Sequence, residues 1–178
     1  MIDTNTNSKV ADIEVGKGPV QVGFSPNGKT VYFSLNQEDA IGKVDVETQT
    51  LVGKVAVGTG PIQVYVTPDN KYVLVANQGT EAKPGRTVSI VDTKTFSVVD
   101  TIETGDGAHG IVVEPSGRFA YITNIYENSV SVLDLGNLKV VSTIPVAEGP
   151  NGISFSMLSQ LAFHQQKLIS LCLIIMIQ

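Results

Sequence analysis

The chain is predicted to be an all-β array of four-stranded units, and three observations carry that prediction. First, a segment recurs. Gly18-Pro-Val-Gln-Val-Gly-Phe-Ser-Pro26-Asn-Gly returns as Gly60-Pro-Ile-Gln-Val-Tyr-Val-Thr-Pro68-Asp-Asn and as Gly107-Ala-His-Gly-Ile-Val-Val-Glu-Pro115-Ser-Gly. A fourth copy starts at Gly149, and the leading glycines are spaced by 42, 47 and 42 residues. Second, an aspartate stands 15 residues before each of them: Asp3, Asp45, Asp92 and Asp134. Third, each period holds short apolar runs separated by turn residues, with no 3.6-residue apolar period. Four short strands per period of this length is the arithmetic of a β-propeller blade.

The elements follow in order. Val20–Phe24, Ile62–Val66 and 110–113 read as buried first strands. Ser25-Pro26-Asn27-Gly28 and its two counterparts carry type I turn chemistry: proline second, Asn, Asp or Ser third, Gly or Asn last. Thr30–Ser34, Tyr72–Ala76 and 119–123 are second strands, rich in β-branched and aromatic residues. Ile41–Val44, Val88–Val91 and 130–133 are third strands, and the aspartate closing each is expected to cap an Asx-type turn. The fourth strand shows period-2 apolar pairs: Ile13/Val15, Val55/Val57, Ile102/Thr104 and Ile144/Val146. Pro145 on its wet side marks it as the sheet edge. The 47-residue spacing comes from the loop Gln78–Arg86, five residues longer than its counterpart after Asn124. Insertions of this kind fall on one face of an array, often the binding face.

Composition narrows the function classes. The chain has 178 residues, 42% of them hydrophobic, with 12 basic and 17 acidic residues and a net charge of -5. No run of basic residues suits duplex nucleic acid. One cysteine, Cys172, excludes an internal disulfide, and with two histidines it is too little for a zinc site of those ligands alone. No metal and no cofactor is expected. No signal peptide and no membrane span is read in the chain.

The stretches Ala120-Tyr-Ile-Thr-Asn124, Tyr72-Val-Leu-Val-Ala-Asn77 and Val31-Tyr-Phe-Ser-Leu35 resemble the YVTN repeat of bacterial and archaeal β-propellers, over about residues 1–156. Leu35 departs from it where the other copies have Asn77 and Asn124. The resemblance implies a propeller of typically seven or eight blades, of which this chain would hold about 3.5–4. It implies an exported protein of the periplasm or cell surface, serving as a non-enzymatic binding or scaffold module for a protein or small molecule at a propeller face. The alternative is a fragment of a lactonase-like hydrolase acting on sugar lactones.

The expected organisation is the end of an earlier unit (1–17), repeats at 18–59, 60–106 and 107–148, and the start of a fourth at 149–156. Residues 157–178 read as a degenerate or frame-shifted apolar tail. An open arc leaves two apolar blade faces bare. The expectation is either two copies paired arc to arc into a ring, or an aggregation-prone fragment.

Candidate ligand-binding residues lie at or beside the start of the first strand, the innermost of a blade: His109, which breaks the pattern, and Asn151, Gln21 and Gln63, polar residues placed to line a wet channel. His109 stands where other copies have Val20, Ile62 and Asn151. In the lactonase-like reading it polarises a lactone or a water. The repeated asparagines and aspartates are assigned to turns: repetition marks scaffold. His164 lies in the tail and carries less weight.

Overall fold

A computed structural model describes residues 1–156 of the chain. The apolar tail expected at 157–178, with His164 and Cys172, lies outside the described residues. Three four-stranded antiparallel sheets follow one another. The first is β3 (Pro19–Phe24), β4 (Thr30–Leu35), β5 (Ala40–Asp45) and β6 (Thr50–Ala56), paired in chain order. The second is β7 (Pro61–Val66), β8 (Tyr72–Thr80), β9 (Lys83–Asp92) and β10 (Ser97–Glu103); the third is β11 (Ala108–Val113), β12 (Phe119–Asn124), β13 (Ser129–Asp134) and β14 (Lys139–Pro145). A two-stranded ribbon, β1 (Ile2–Asp3) and β2 (Ser8–Lys9), precedes them. The three sheets are blades, as the repeat predicts.

The core lies between blades. Tyr32 and Ile41 of the first blade meet Val64, Val66, Val73, Val75 and Val91 of the second. The other face of the second blade, Leu74, Ala76, Val88 and Ile90, meets Ile111, Val113, Ala120 and Ile122 of the third. That is why Val73–Ala76 is unbroken apolar sequence: alternate side chains enter two different cores.

The turns behave as expected. Gly28 N–H donates to Ser25 C=O at 2.8 Å, Asn70 N–H to Thr67 C=O at 2.8 Å and Gly117 N–H to Glu114 C=O at 2.9 Å. The aspartates cap the turns that follow them. Asp45 Oδ1 accepts from Thr48 N–H at 2.8 Å, Asp92 Oδ1 from Thr95 N–H at 2.8 Å and Asp134 Oδ1 from Gly136 N–H at 2.8 Å. These bonds favour the ionised form and hold the Asp45 and Asp92 carboxyls below the ordinary aspartate range. The fourth strands pair on one side only, and Pro145 is exposed on the third of them, so it interrupts no ladder.

Four details differ from the sequence expectation. The segment at 78–86 is not a loop but the end of a long β-hairpin: β8 and β9 run on past the sheet to the tip Glu81-Ala82, pairing Gly79 with Pro84 and Thr80 with Lys83. Ile13 and Val15 keep their half-buried alternation against Phe33, Leu35 and Val44, but residues 11–15 join no ladder. The first strand β3 is not buried: Val20, Val22 and Phe24 are 50, 57 and 60% exposed, on the side turned away from β7. Residues 149–156 form no strand, although they lie against the third blade.

The asparagines also depart from the turn role. Asn77 and Asn124 are fully buried. Asn124 Nδ2 donates to Ser129 Oγ and Ser131 Oγ, each at 2.9 Å; Asn77 Nδ2 donates to Thr87 Oγ1 and Ser89 Oγ, each at 3.0 Å. They tie the second strand to the third. In the first blade Leu35 replaces the asparagine, and the hydroxyl positions become Ala40 and Gly42. Polar donor and polar acceptors disappear together, because a buried half-satisfied set costs more than an apolar one.

Candidate functional site

The site begins with a backbone irregularity. Each first strand slips register against the second just after it starts, between Pro19 and Val22, Pro61 and Val64, and Ala108 and Ile111. A bulge takes backbone N–H groups out of the ladder, and those donors need other acceptors. Within a blade, hydroxyls of the second strand supply them: Ser34 Oγ accepts from Gln21 N–H at 3.2 Å, and Thr123 Oγ1 from Gly110 N–H at 2.7 Å. Between blades, glutamines do. Gln21 Oε1 accepts from Val64 N–H at 2.8 Å, and Gln63 Oε1 accepts from Ile111 N–H at 2.7 Å.

Gln21 and Gln63 are therefore inter-blade staples as well as inner-edge residues. They line one shallow concavity of about 250 Å3, with Phe24 and Tyr65. His109 and Asn151 form a separate pair: the imidazole Nδ1 lies 2.7 Å from the Asn151 carbonyl oxygen. Nδ1 donates there, which puts the ring in its Nδ1–H form when neutral. Burial pushes the His109 pKa below the ordinary histidine value, and the bond to Asn151 partly offsets this. So the four candidate residues fall into two pairs. Each pair makes contacts to backbone of the chain itself.

Removing a staple tests this. Gln63→Leu leaves the Ile111 N–H without its acceptor at a blade junction, and the expected loss of stability is about 1–3 kcal/mol. Urea denaturation of the two chains measures it. A loss below about 0.5 kcal/mol shows that the staple is decorative.

Sequence reasoning missed a second set of caps. Glu38 Oε1 accepts from Lys17 N–H at 2.6 Å, and Glu127 Oε2 accepts from Asp106 N–H at 2.9 Å. The next residue reaches the following blade: Asp39 Oδ1 accepts from Gly60 N–H at 2.8 Å, and Asn128 Oδ1 from Gly149 N–H at 3.0 Å. The aligned pairs Glu38-Asp39 and Glu127-Asn128 were the available signal. In the second blade the hairpin backbone does this work, with Gly107 N–H donating to Gly85 C=O at 2.7 Å.

The hairpin also walls a concavity of about 440 Å3 on its face of the array. Glu81 and Pro84 come from the hairpin, Asp106 and Glu148 from the links between blades, and Ile125 and Tyr126 from the third blade. Arg86 is ion-paired with Asp106, and Gln78 Nε2 donates to Tyr126 Oη at 3.1 Å. Among the described residues, no group of three or more His, Cys, Asp or Glu side chains is placed to hold a metal ion. Among them, too, no helix is long and apolar enough to cross a membrane.

A family model of YNCE-like β-propellers matches residues 3–171. The chain belongs to this family. Solved structures agree on the fold. Hydrazine synthase of Kuenenia stuttgartiensis is 31% identical with a TM-score of 0.72, over 78% of this chain and 39% of that one. The dihydro-heme d1 dehydrogenase NirN, solved with DHE, is 15% identical with a TM-score of 0.68, over 83% of this chain and 33% of that one. U3-55K is 14% identical with a TM-score of 0.67, over 76% of this chain and 42% of that one. At those identities the last two show the fold alone. The YNCE-like chain thus spans well under half the length of each. No curated protein sequence matches it.

Proposed function

We propose that this YNCE-like chain is a binding scaffold without catalytic chemistry, and that its ligand or partner docks on the face carrying the β8–β9 hairpin. One observation carries the reading. The repeated polar positions spend their hydrogen bonds on the array itself, whereas the hairpin is an insertion in one blade only and walls the 440 Å3 concavity. Variation on a fixed scaffold is where ligand contacts are placed. Export to the periplasm or cell surface, implied by the resemblance to YVTN propellers, is part of the same proposal. Cell fractionation of the full-length protein tests it.

The lactonase-like alternative needs a histidine aimed at a substrate, and His109 Nδ1 is aimed at the Asn151 carbonyl. A two-copy ring likewise remains a proposal. Mass in solution decides that point.

The experiment for the main reading shortens the hairpin to the length of the 125–128 connection. The expected result is an unchanged thermal midpoint for the blades and loss of the partners captured by the wild-type chain in a quantitative cross-linking comparison. In parallel, hydrolysis of a sugar δ-lactone is expected to run at the buffer rate, with and without His109→Ala. Captured partners that survive shortening would overturn the docking face. Lactone turnover abolished by His109→Ala would overturn the non-catalytic reading.

A further inference from the structure

We propose that the junction between the third blade and residues 149–156 is a joint that opens as pH falls, with His109 as its latch. The two earlier junctions are each stapled by a glutamine reaching the next inner strand, Gln21 to Val64 and Gln63 to Ile111. At the third junction the staple position is Gly110. A side chain there has no room: a Cβ would stand 2.9 Å from both the Asn151 carbonyl oxygen and Thr123 Oγ1. Nothing from β11 reaches forward at that position, and residues 149–156 form no ladder.

What does hold the segment is a short set of contacts. Asn128 anchors its start, through Oδ1 to Gly149 N–H at 3.0 Å and through its carbonyl to Val146 N–H at 2.9 Å. The Phe155 ring stacks on Tyr121 at 6.4 Å between centroids. Between these points, among the described residues, His109 Nδ1 donates to the Asn151 carbonyl at 2.7 Å. The imidazole has taken over at this junction the place of the glutamine amide, one position earlier in the strand. A glutamine staple is indifferent to pH, and an imidazole is not.

The sign follows from solvation. With Nδ1–H committed to Asn151, a second proton must go on Nε2, and a half-buried ring cannot hydrate that charge well. Burial accordingly depresses the pKa in the closed joint, opposed by the Asn151 bond. In the open joint the ring returns to the ordinary value of about 6.5. The open form therefore binds the proton more readily, and opening grows as pH falls through about 6.5. It is unaffected above about 7.5 and levels off below the closed-state pKa. Among the described residues, Gln63 of β7, Thr123 of β12 and Asn151 of the segment are the polar groups bonded about this junction, and Asp106, Glu114, Arg118 and Glu148 are the charges that flank it along the packed elements.

Amide hydrogen exchange on the whole chain tests this. Protection of Gly152, Ile153 and Phe155, corrected for intrinsic rates, is expected to fall by up to about tenfold between pH 7.5 and 5.5. Val73–Val75 in the second blade serve as the control for global unfolding and keep their protection. In His109→Gln, whose amide can donate to the same carbonyl at any pH, the pH dependence disappears. The imidazole resonance of His109, assigned by its loss in that variant, titrates below 6.5. Equal protection at both pH values, the same fall in His109→Gln, or a His109 pKa at or above 6.5 each overturns the proposal.

Discussion

Asn124→Leu is expected to destabilise the chain by about 2–3 kcal/mol, and adding Ser129→Ala and Ser131→Ala is expected to bring it back to within about 1 kcal/mol of wild type. Asn124 lies fully buried with its Nδ2 shared between the two serine hydroxyls. Leucine fits the volume but offers those hydroxyls nothing: both lose the donor they share, and Ser129 keeps only its own bond to Glu127 Oε1. Removing the hydroxyls removes the penalty. The first blade is the precedent within the same chain: Leu35 sits with Ala40 and Gly42, and the Phe33 ring covers Gly42. The third blade has the smaller Ile122 there, which is why alanine rather than glycine is the right replacement at Ser131. Urea denaturation of single, double and triple variants closes the cycle. If the triple variant is no more stable than Asn124→Leu alone, the coupling is wrong.

Gly85→Ala is the second large effect, roughly 3 kcal/mol or more. A Cβ at Gly85 would overlap the main-chain carbonyl of Asn77, across the twist where the hairpin leaves the sheet. Backbone there cannot swing aside as a side chain would. The same shift would pull Gly85 C=O from Gly107 N–H, which closes the link to the third blade. Gly28→Ala is the contrast. Its φ is +70° with nothing within 4 Å of a new Cβ, so it carries only the left-handed strain of about 1–2 kcal/mol. Thermal midpoints of the two variants are expected to differ clearly in that order. Equal shifts would mean that the hairpin base relaxes around the methyl group.

How much of this was legible depended on the reach of each interaction. Ser25 to Gly28 and Asp92 to Thr95 act over three residues, so turn chemistry in the sequence announces them. The hairpin at 78–86 was visible as an insertion but not as strand, because Gly79, Pro84 and Gly85 read as loop residues and only their mutual pairing makes them a ladder. Repetition marks Asn77 and Asn124 as scaffold and suggests backbone bonds in a turn, whereas their amides bond hydroxyls of the neighbouring strand. Repetition says that a residue serves the array, while its partners, Ser89 and Ser131, are set by strand register. Gln21 and Gln63 were singled out as candidate ligand contacts, and the structure shows in addition what each already holds.

The sequence alone determined the blade as the unit of this protein. A fixed ruler from aspartate to glycine, turn residues at constant offsets and period-2 apolar pairs are all local, and local rules suffice to build a four-stranded sheet. What joins one sheet to the next was decided only in three dimensions. Gln21 meets Val64 across 43 residues and Gln63 meets Ile111 across 48. A bulge frees those N–H groups, and which side chain reaches them depends on how two blades rotate against each other. In the sequence only His109 stands out as a difference; that Gly110 takes the staple's position became visible once Gln21 and Gln63 had partners. Their meaning as a joint came from the packed blades.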